Sequence, residues 1–180
     1  AAMVGGTASA AEFWEPFGSQ VLEAMPGSTV AADSTEEKYI TTALLGDAMY
    51  MSTKFIAERP EDAAKLARAY FNAVEFWKTN TAEANQIIAD GLKFSVADVE
   101  QVLGNNGEIK KGGIFVFDID QAAIFMGLKP GTLPLGIAAD GMQAHWDTTT
   151  DWWLKFGFVE KAMPMSAGVD TTPLEAALKL

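Results

Sequence analysis

His145 is the single histidine of the chain, and in QAHWDTTTDWW it stands just ahead of Asp147 and Asp151. An imidazole beside carboxylates, with serines and threonines in supply, is material for general-base or nucleophilic catalysis. The pattern that would organise it is missing, because the chain has no Gly-x-Ser-x-Gly elbow. A lone histidine in an aromatic-rich helix more often packs or meets solvent than reacts. No catalytic residue is assigned. With no cysteine and one histidine, a metal site would have to be built from carboxylates. The DID of residues 118–120 and the DTTTD of 147–151 lack the spacing of a calcium loop, and helix N-capping explains Asp118 more simply. GGTASAAEF carries Gly5 and Gly6 but not the third glycine of a dinucleotide fingerprint. No metal and no cofactor is expected.

SAAEFWEPFG, residues 9–18, is the stretch that asks for a function. Phe13 and Trp14 run straight into Glu15 and Pro16. In one reading Trp14 packs in the core and Glu15 caps the helix that follows. In the other a strand ends at a binding cleft, as strands do in open α/β sheets. There Trp14, with Phe13 beside it, offers a flat apolar wall, and Glu15 an acceptor or counter-charge.

The elements that would position these residues differ between the two halves of the chain. RPEDAAKLARAYFNAVEFWKTN predicts a helix over 60–78. Pro60 suits the first turn, Glu61 and Asp62 the positive end of the dipole, and Lys78 the negative end. Ala63, Leu66, Ala67, Tyr70, Phe71, Val74 and Trp77 form one apolar stripe, so Tyr70, Phe71, Phe76 and Trp77 are expected in the core. TAEANQIIADG predicts a helix capped at Asn80 or Thr81 and stopped at Gly91. Ser95 with Asp98, and Asp118 with Gln121, are spaced as capping boxes, and Gly104 and Gly127 end their helices. TTDWWLKFG closes a further helix at Gly157, and a short one follows Pro173. In the first half ASAAEFW, STVAAD and DAMYMS read as strands, with PFGSQVLEAM as a helix between the first two. GNNGEIKKGG and LKPGTLPLG read as turn-rich loops. The fold class is therefore α/β with a helix-rich second half. Its three strands fall short of the roughly five or six usual in a sheet.

The 180 residues suffice for one domain, and 49% hydrophobic with 21% charged is a globular composition. No apolar run approaches the roughly 20 residues of a membrane-spanning helix. With 24 acidic and 13 basic residues the net charge is −11, which a nucleic-acid backbone would repel. No nucleic-acid partner is expected. No secretory leader is recognisable, so a signal is expected to have been removed or never present. The lack of cysteine leans towards export.

GGTASAAEFWEPFGSQVL resembles the Trp-Glu-Pro segment of ABC-transporter substrate-binding proteins, in the branch serving nitrate, sulfonate, taurine and thiamine-precursor uptake. YMSTKFIAERPEDAAKLARAYFNAVEFWKTNTAEANQIIADGL resembles that branch's next signature. There a strand enters a short helix, then comes a helix started by Asn-Pro or Arg-Pro, then one ending before Gly-Leu. DTTTDWWLKFGFVEKAM resembles its closing segment, a helix ending in glycine followed by a short apolar strand and a lysine. The three cover most of residues 5–175 in the family's order. Ser9 departs from it, since the family usually has Asp there.

The resemblance implies the C-terminal part of a type II periplasmic-binding-protein fold, two-lobed and α/β/α-layered. Residues 1–48 would be the strand-helix-strand remnant of the second lobe. Residues 49–180 would be a crossover strand and a helical part returning to the first lobe. Tyr50 and Ser52, in the crossover DAMYMSTKF, would then touch ligand together with Trp14, Glu15 and Phe13. The implied function is capture of a small, often anionic, solute between two lobes and its delivery to an ABC permease, with no chemistry of its own. Closure would be a population shift towards the liganded state. The protein would be periplasmic or extracellular, held at the membrane through the transporter. Its partners would be the small-molecule ligand, the permease, and either a missing N-terminal half or a second copy of the chain. Two rivals stand. One is an enzyme like the pyrimidine-precursor synthases of the same fold. The other is a helical protein-interaction module over residues 60–160, which predicts an exposed apolar patch.

Overall fold

A computed structural model describes residues 2–40, 48–105 and 114–180. It is 56% helix, and among the described residues there is no strand and no sheet. The helices run α1 (Phe17–Ala24), α2 (Glu37–Ile40), α3 (Thr53–Glu58), α4 (Pro60–Thr79), α5 (Thr81–Leu92), α6 (Val96–Leu103), α7 (Ile119–Phe125), α8 (Gly141–Lys155) and α9 (Thr172–Ala177). Short 3-10 turns lie at Pro134–Gly136 and Met165–Ala167.

Local chemistry explains where these helices start and stop. Ser52 begins α3 by accepting the Phe55 N–H at 3.1 Å. Arg59 ends it, donating its backbone N–H to the Phe55 carbonyl and its guanidinium to Asp62 at 2.7 Å in the first turn of α4. Both expected capping boxes form. Asp98 N–H donates to Ser95 Oγ and Ser95 N–H to Asp98 Oδ2, each at 3.1 Å. Gln121 N–H donates to Asp118 Oδ1 at 2.8 Å, and Asp118 N–H to Gln121 Oε1 at 3.0 Å. Helix α5 departs from expectation, because it runs through Gly91 and turns at Lys93, whose φ is 62°. A left-handed lysine costs about 1–2 kcal/mol. Its ammonium offsets part of that by donating to the Asp90 carbonyl at 2.8 Å.

The chain forms two compact units, each drawn from two segments. The first comprises Ala1–Glu36 with Glu75–Val116. Its centre is Asn85, fully buried among Trp77, Ala84, Ala89 and Val99. Asn85 accepts from the Trp77 indole N–H and donates to the Gly104 carbonyl, both at 2.9 Å. One amide therefore ties the end of α4, the body of α5 and the end of α6. The second unit comprises Glu37–Val74 with Phe117–Leu180. Here α7 packs on α9, α8 on the 3-10 turn at Met165–Ala167, and α2 on that at Pro134–Gly136. Its core is rich in small residues: Ala63, Ala64, Ala67, Ala123 and Ala177 are buried with Val74, Ile124, Phe125 and Leu133. Gly141 starts α8 against the Phe125 ring, where a Cβ would lie 2.5 Å from Cε2.

The α/β expectation, and with it the layered two-lobed periplasmic-binding-protein fold, is corrected. ASAAEFW and STVAAD run as turns and irregular chain, as do the described residues of DAMYMS; Asp47 lies outside them. The strand expected after Gly157 is absent too, residues 158–163 being irregular. A strand satisfies its N–H and C=O groups only beside another strand about 4.8 Å away. Among the described residues none of these segments has such a neighbour, and Val30 and Met49 stand exposed. Residues 41–47 and most of the loop GNNGEIKKGG, residues 106–113, lie outside the described residues.

The α4 stripe is corrected in part. Trp77 is buried and Phe71 half-buried, but Leu66 and Tyr70 are exposed; Phe76, also expected in the core, lies off the stripe and is exposed as well. Periodicity aligns side chains on one face. Burial also needs a neighbour over each turn of that face, and Leu66 and Tyr70 have too little cover.

Candidate functional site

Phe13, Trp14 and Glu15 lead into α1 in the first unit. Trp14 is 75% exposed, so its indole is not a core side chain. It meets the Phe17 ring edge to face, with centroids 6.3 Å apart and planes at 79°. Phe13 is also exposed, and Pro16 behind it is buried. Glu15 is half-buried, and its Oε2 accepts the Ser19 N–H at 3.1 Å. Gly18 leaves room for this carboxylate, since a Cβ there would lie 3.2 Å from Glu15 Oε1 and 3.7 Å from Phe13 Cβ. The first reading is met at Glu15 and not at Trp14, and no strand ends here. Glu15 caps the helix, while Trp14 faces solvent.

The start of α1 is closed to anions. Its N–H groups at Phe17 and Gly18 donate to the Trp14 carbonyl, Ser19 to Glu15, and Gln20 to the Pro16 carbonyl. A free helix N-terminus would attract an anion. This one has its donors used and a carboxylate seated on it.

Tyr50 and Ser52 lie in the second unit. Tyr50 is 91% exposed. The Ser52 hydroxyl oxygen caps α3, which leaves its hydrogen to donate outward. Phe17 and Gly18 were missed in the sequence reading. Their signal was there, because a residue three after Trp14 shares its side of the chain once α1 begins.

His145 is half-buried on α8. Asp147 accepts from Gln143 Nε2 at 2.8 Å across one turn. Among the described residues no cluster of three or more His, Asp or Glu could hold a metal ion. Two carboxylates are held below the ordinary value of 3.8. Asp98 is lowered by the Ser95 hydroxyl and backbone N–H, with a smaller contribution from the Gln20 side chain. Asp170 is lowered by the hydroxyl and backbone N–H of Thr172. Both are structural turns or caps rather than reactive groups. No helix among the described residues is long and apolar enough to cross a membrane.

No family model, curated protein or solved structure matches this chain.

Proposed function

We propose that this chain is the solute-capturing component of an ABC importer, binding a small solute of the sulfonate, taurine or nitrate class and passing it to the permease. The observation that carries the reading is the succession α3, Arg59-Pro60, α4, α5. A short helix, an Arg-Pro start, a long helix and a further helix follow one another in the order of the importer branch that this stretch resembles, although α5 runs through Gly91 and Leu92 where that branch's helix ends before Gly-Leu. The proposal is independent of a sheet. The exposed Trp14 indole supplies a flat apolar wall, and Glu15 a negative acceptor at its edge. With the N–H groups of α1 occupied and a carboxylate among them, this chemistry favours an amine-bearing solute such as taurine over nitrate. The chain does no chemistry of its own.

The test is uptake. In cells that encode the chain, an in-frame deletion of residues 1–180 abolishes accumulation of radiolabelled taurine or a related sulfonate. Uptake of sulfonates, taurine and nitrate all unchanged would remove the reading. A second reading, a helical protein-contact module, is favoured by Leu66 and Tyr70, exposed one turn apart on α4. Unchanged uptake together with concentration-dependent self-association in sedimentation would select it.

A further inference from the structure

The turn that closes α8 presents four aromatic side chains outward. Trp152 and Trp153 are about half exposed, Phe156 is 62% exposed and Phe158 75%. They stand on a rigid cap. Gly157 takes φ 73°, its N–H donates to the Leu154 carbonyl at 3.1 Å, and the Phe158 N–H donates to the Trp153 carbonyl at 2.8 Å. These are the two bonds of a Schellman motif, in which the apolar residue after the glycine commonly packs back on the helix. Phe158 remains open instead, its ring 6.3 Å from that of Phe156. The chain beyond is tied back as well, because the Trp146 indole donates to the Met163 carbonyl at 2.7 Å. Phe156 stacks on Trp152 with centroids 5.5 Å apart and planes at 15°. The Lys155 ammonium lies 4.3 Å from the Trp152 ring centre. The aromatics are therefore held outward before anything binds them.

We propose that this knob docks on a zwitterionic phospholipid surface. Indole and phenyl rings beside a lysine suit the headgroup boundary, where rings enter the apolar side and the ammonium meets phosphate. Charge selects the occupant. The chain carries −11 overall, yet over residues 151–161 Asp151 and Glu160 balance Lys155 and Lys161. A second copy of the chain, or an anionic membrane, meets the repulsion of the whole acidic molecule. A phosphocholine surface has no net charge and offers both signs to the knob. This inference does not rest on the importer reading, since lipid binding is measured without any solute.

The test uses the purified 180-residue chain and phosphatidylcholine vesicles. The chain is expected to pellet with the vesicles, and brominated phosphatidylcholine to quench its tryptophan emission. The double variant Phe156→Ser/Phe158→Ser is expected to keep its helical dichroism and to lose about tenfold or more of its partitioning. Leu66→Ser, exposed elsewhere, is expected to partition as the parent does. Adding phosphatidylglycerol is expected to weaken binding. No pelleting with phosphatidylcholine, no quenching in the parent chain, or tighter binding with phosphatidylglycerol would each overturn the proposal. So would equal partitioning of parent and double variant. A dimer abolished by the double variant, without vesicle binding, would overturn it in favour of a second copy.

Discussion

Asn85 and Trp14 mark the two extremes of what single residues do in this chain. Asn85 is fully buried, and both ends of its amide are used. Asn85→Ala leaves the Trp77 indole N–H and the Gly104 carbonyl without their partner. Unsatisfied buried groups cost about 1–3 kcal/mol each, so chemical denaturation is expected to show a loss of roughly 2–4 kcal/mol. An unchanged midpoint would mean that water replaces the amide. Trp14 is the opposite case. Its exposed ring touches Phe17 but fills no core space. Trp14→Ala is expected to change stability by no more than about 0.5 kcal/mol. Taurine or sulfonate uptake should nevertheless fall sharply, and uptake at the parent level would take Trp14 out of the site.

At the scale of the element, the helices are held by caps whose strength depends on pH. The α6 capping box needs Asp98 ionised, because its carboxylate accepts from both the hydroxyl and the backbone N–H of Ser95. Its folded pKa lies below 3.8, so the unfolded chain takes up this proton more readily than the folded one. The stabilisation is present above the unfolded value and is lost as pH falls below 3.8 through the folded value. Thermal melts at pH 7 and near pH 3 are expected to show a smaller acid-induced drop for Asp98→Asn than for the parent. An equal drop would show that the box contributes nothing to acid sensitivity. The cap was legible in the sequence because Ser95 and Asp98 stand three residues apart, and one helical turn brings them together without help from elsewhere. The end of α5 was less legible. Gly91 looked like a stop, but Lys93 supplies its own bond to the Asp90 carbonyl and so holds the left-handed turn two residues later.

The whole molecule differs most from what its sequence suggested. Helices with no sheet among the described residues make a definite spectroscopic statement. Infrared absorption in the amide I region, with far-ultraviolet dichroism, is expected to show helix near 56% and no sheet band. A clear sheet component would restore the α/β reading. The arrangement of the chain into units also lay beyond sequence reading. Residues 1–36 join residues 75–116, while 37–74 join 117–180, so each unit is made of segments far apart in the chain. The three breaks fall at 36/37, 74/75 and 116/117, and α4 runs through the second of them.

Taken alone, the sequence determined the long helix α4 and several helix ends. Pro60 with Glu61 and Asp62, Ser95 with Asp98, Asp118 with Gln121, and Gly157 all act within about one turn of chain, so spacing alone is enough. Tertiary structure alone decided which apolar segments were covered. Tyr70 and Trp77 lie on one stripe, yet Tyr70 is exposed while Trp77 is buried beside Asn85, eight residues further on. ASAAEFW and STVAAD had strand-like composition, but a strand is completed by hydrogen bonds to a distant segment, and among the described residues none pairs with them. Local contacts are written into neighbouring residues. Burial and sheet pairing depend on which remote surface arrives, and that is settled only when the chain is folded.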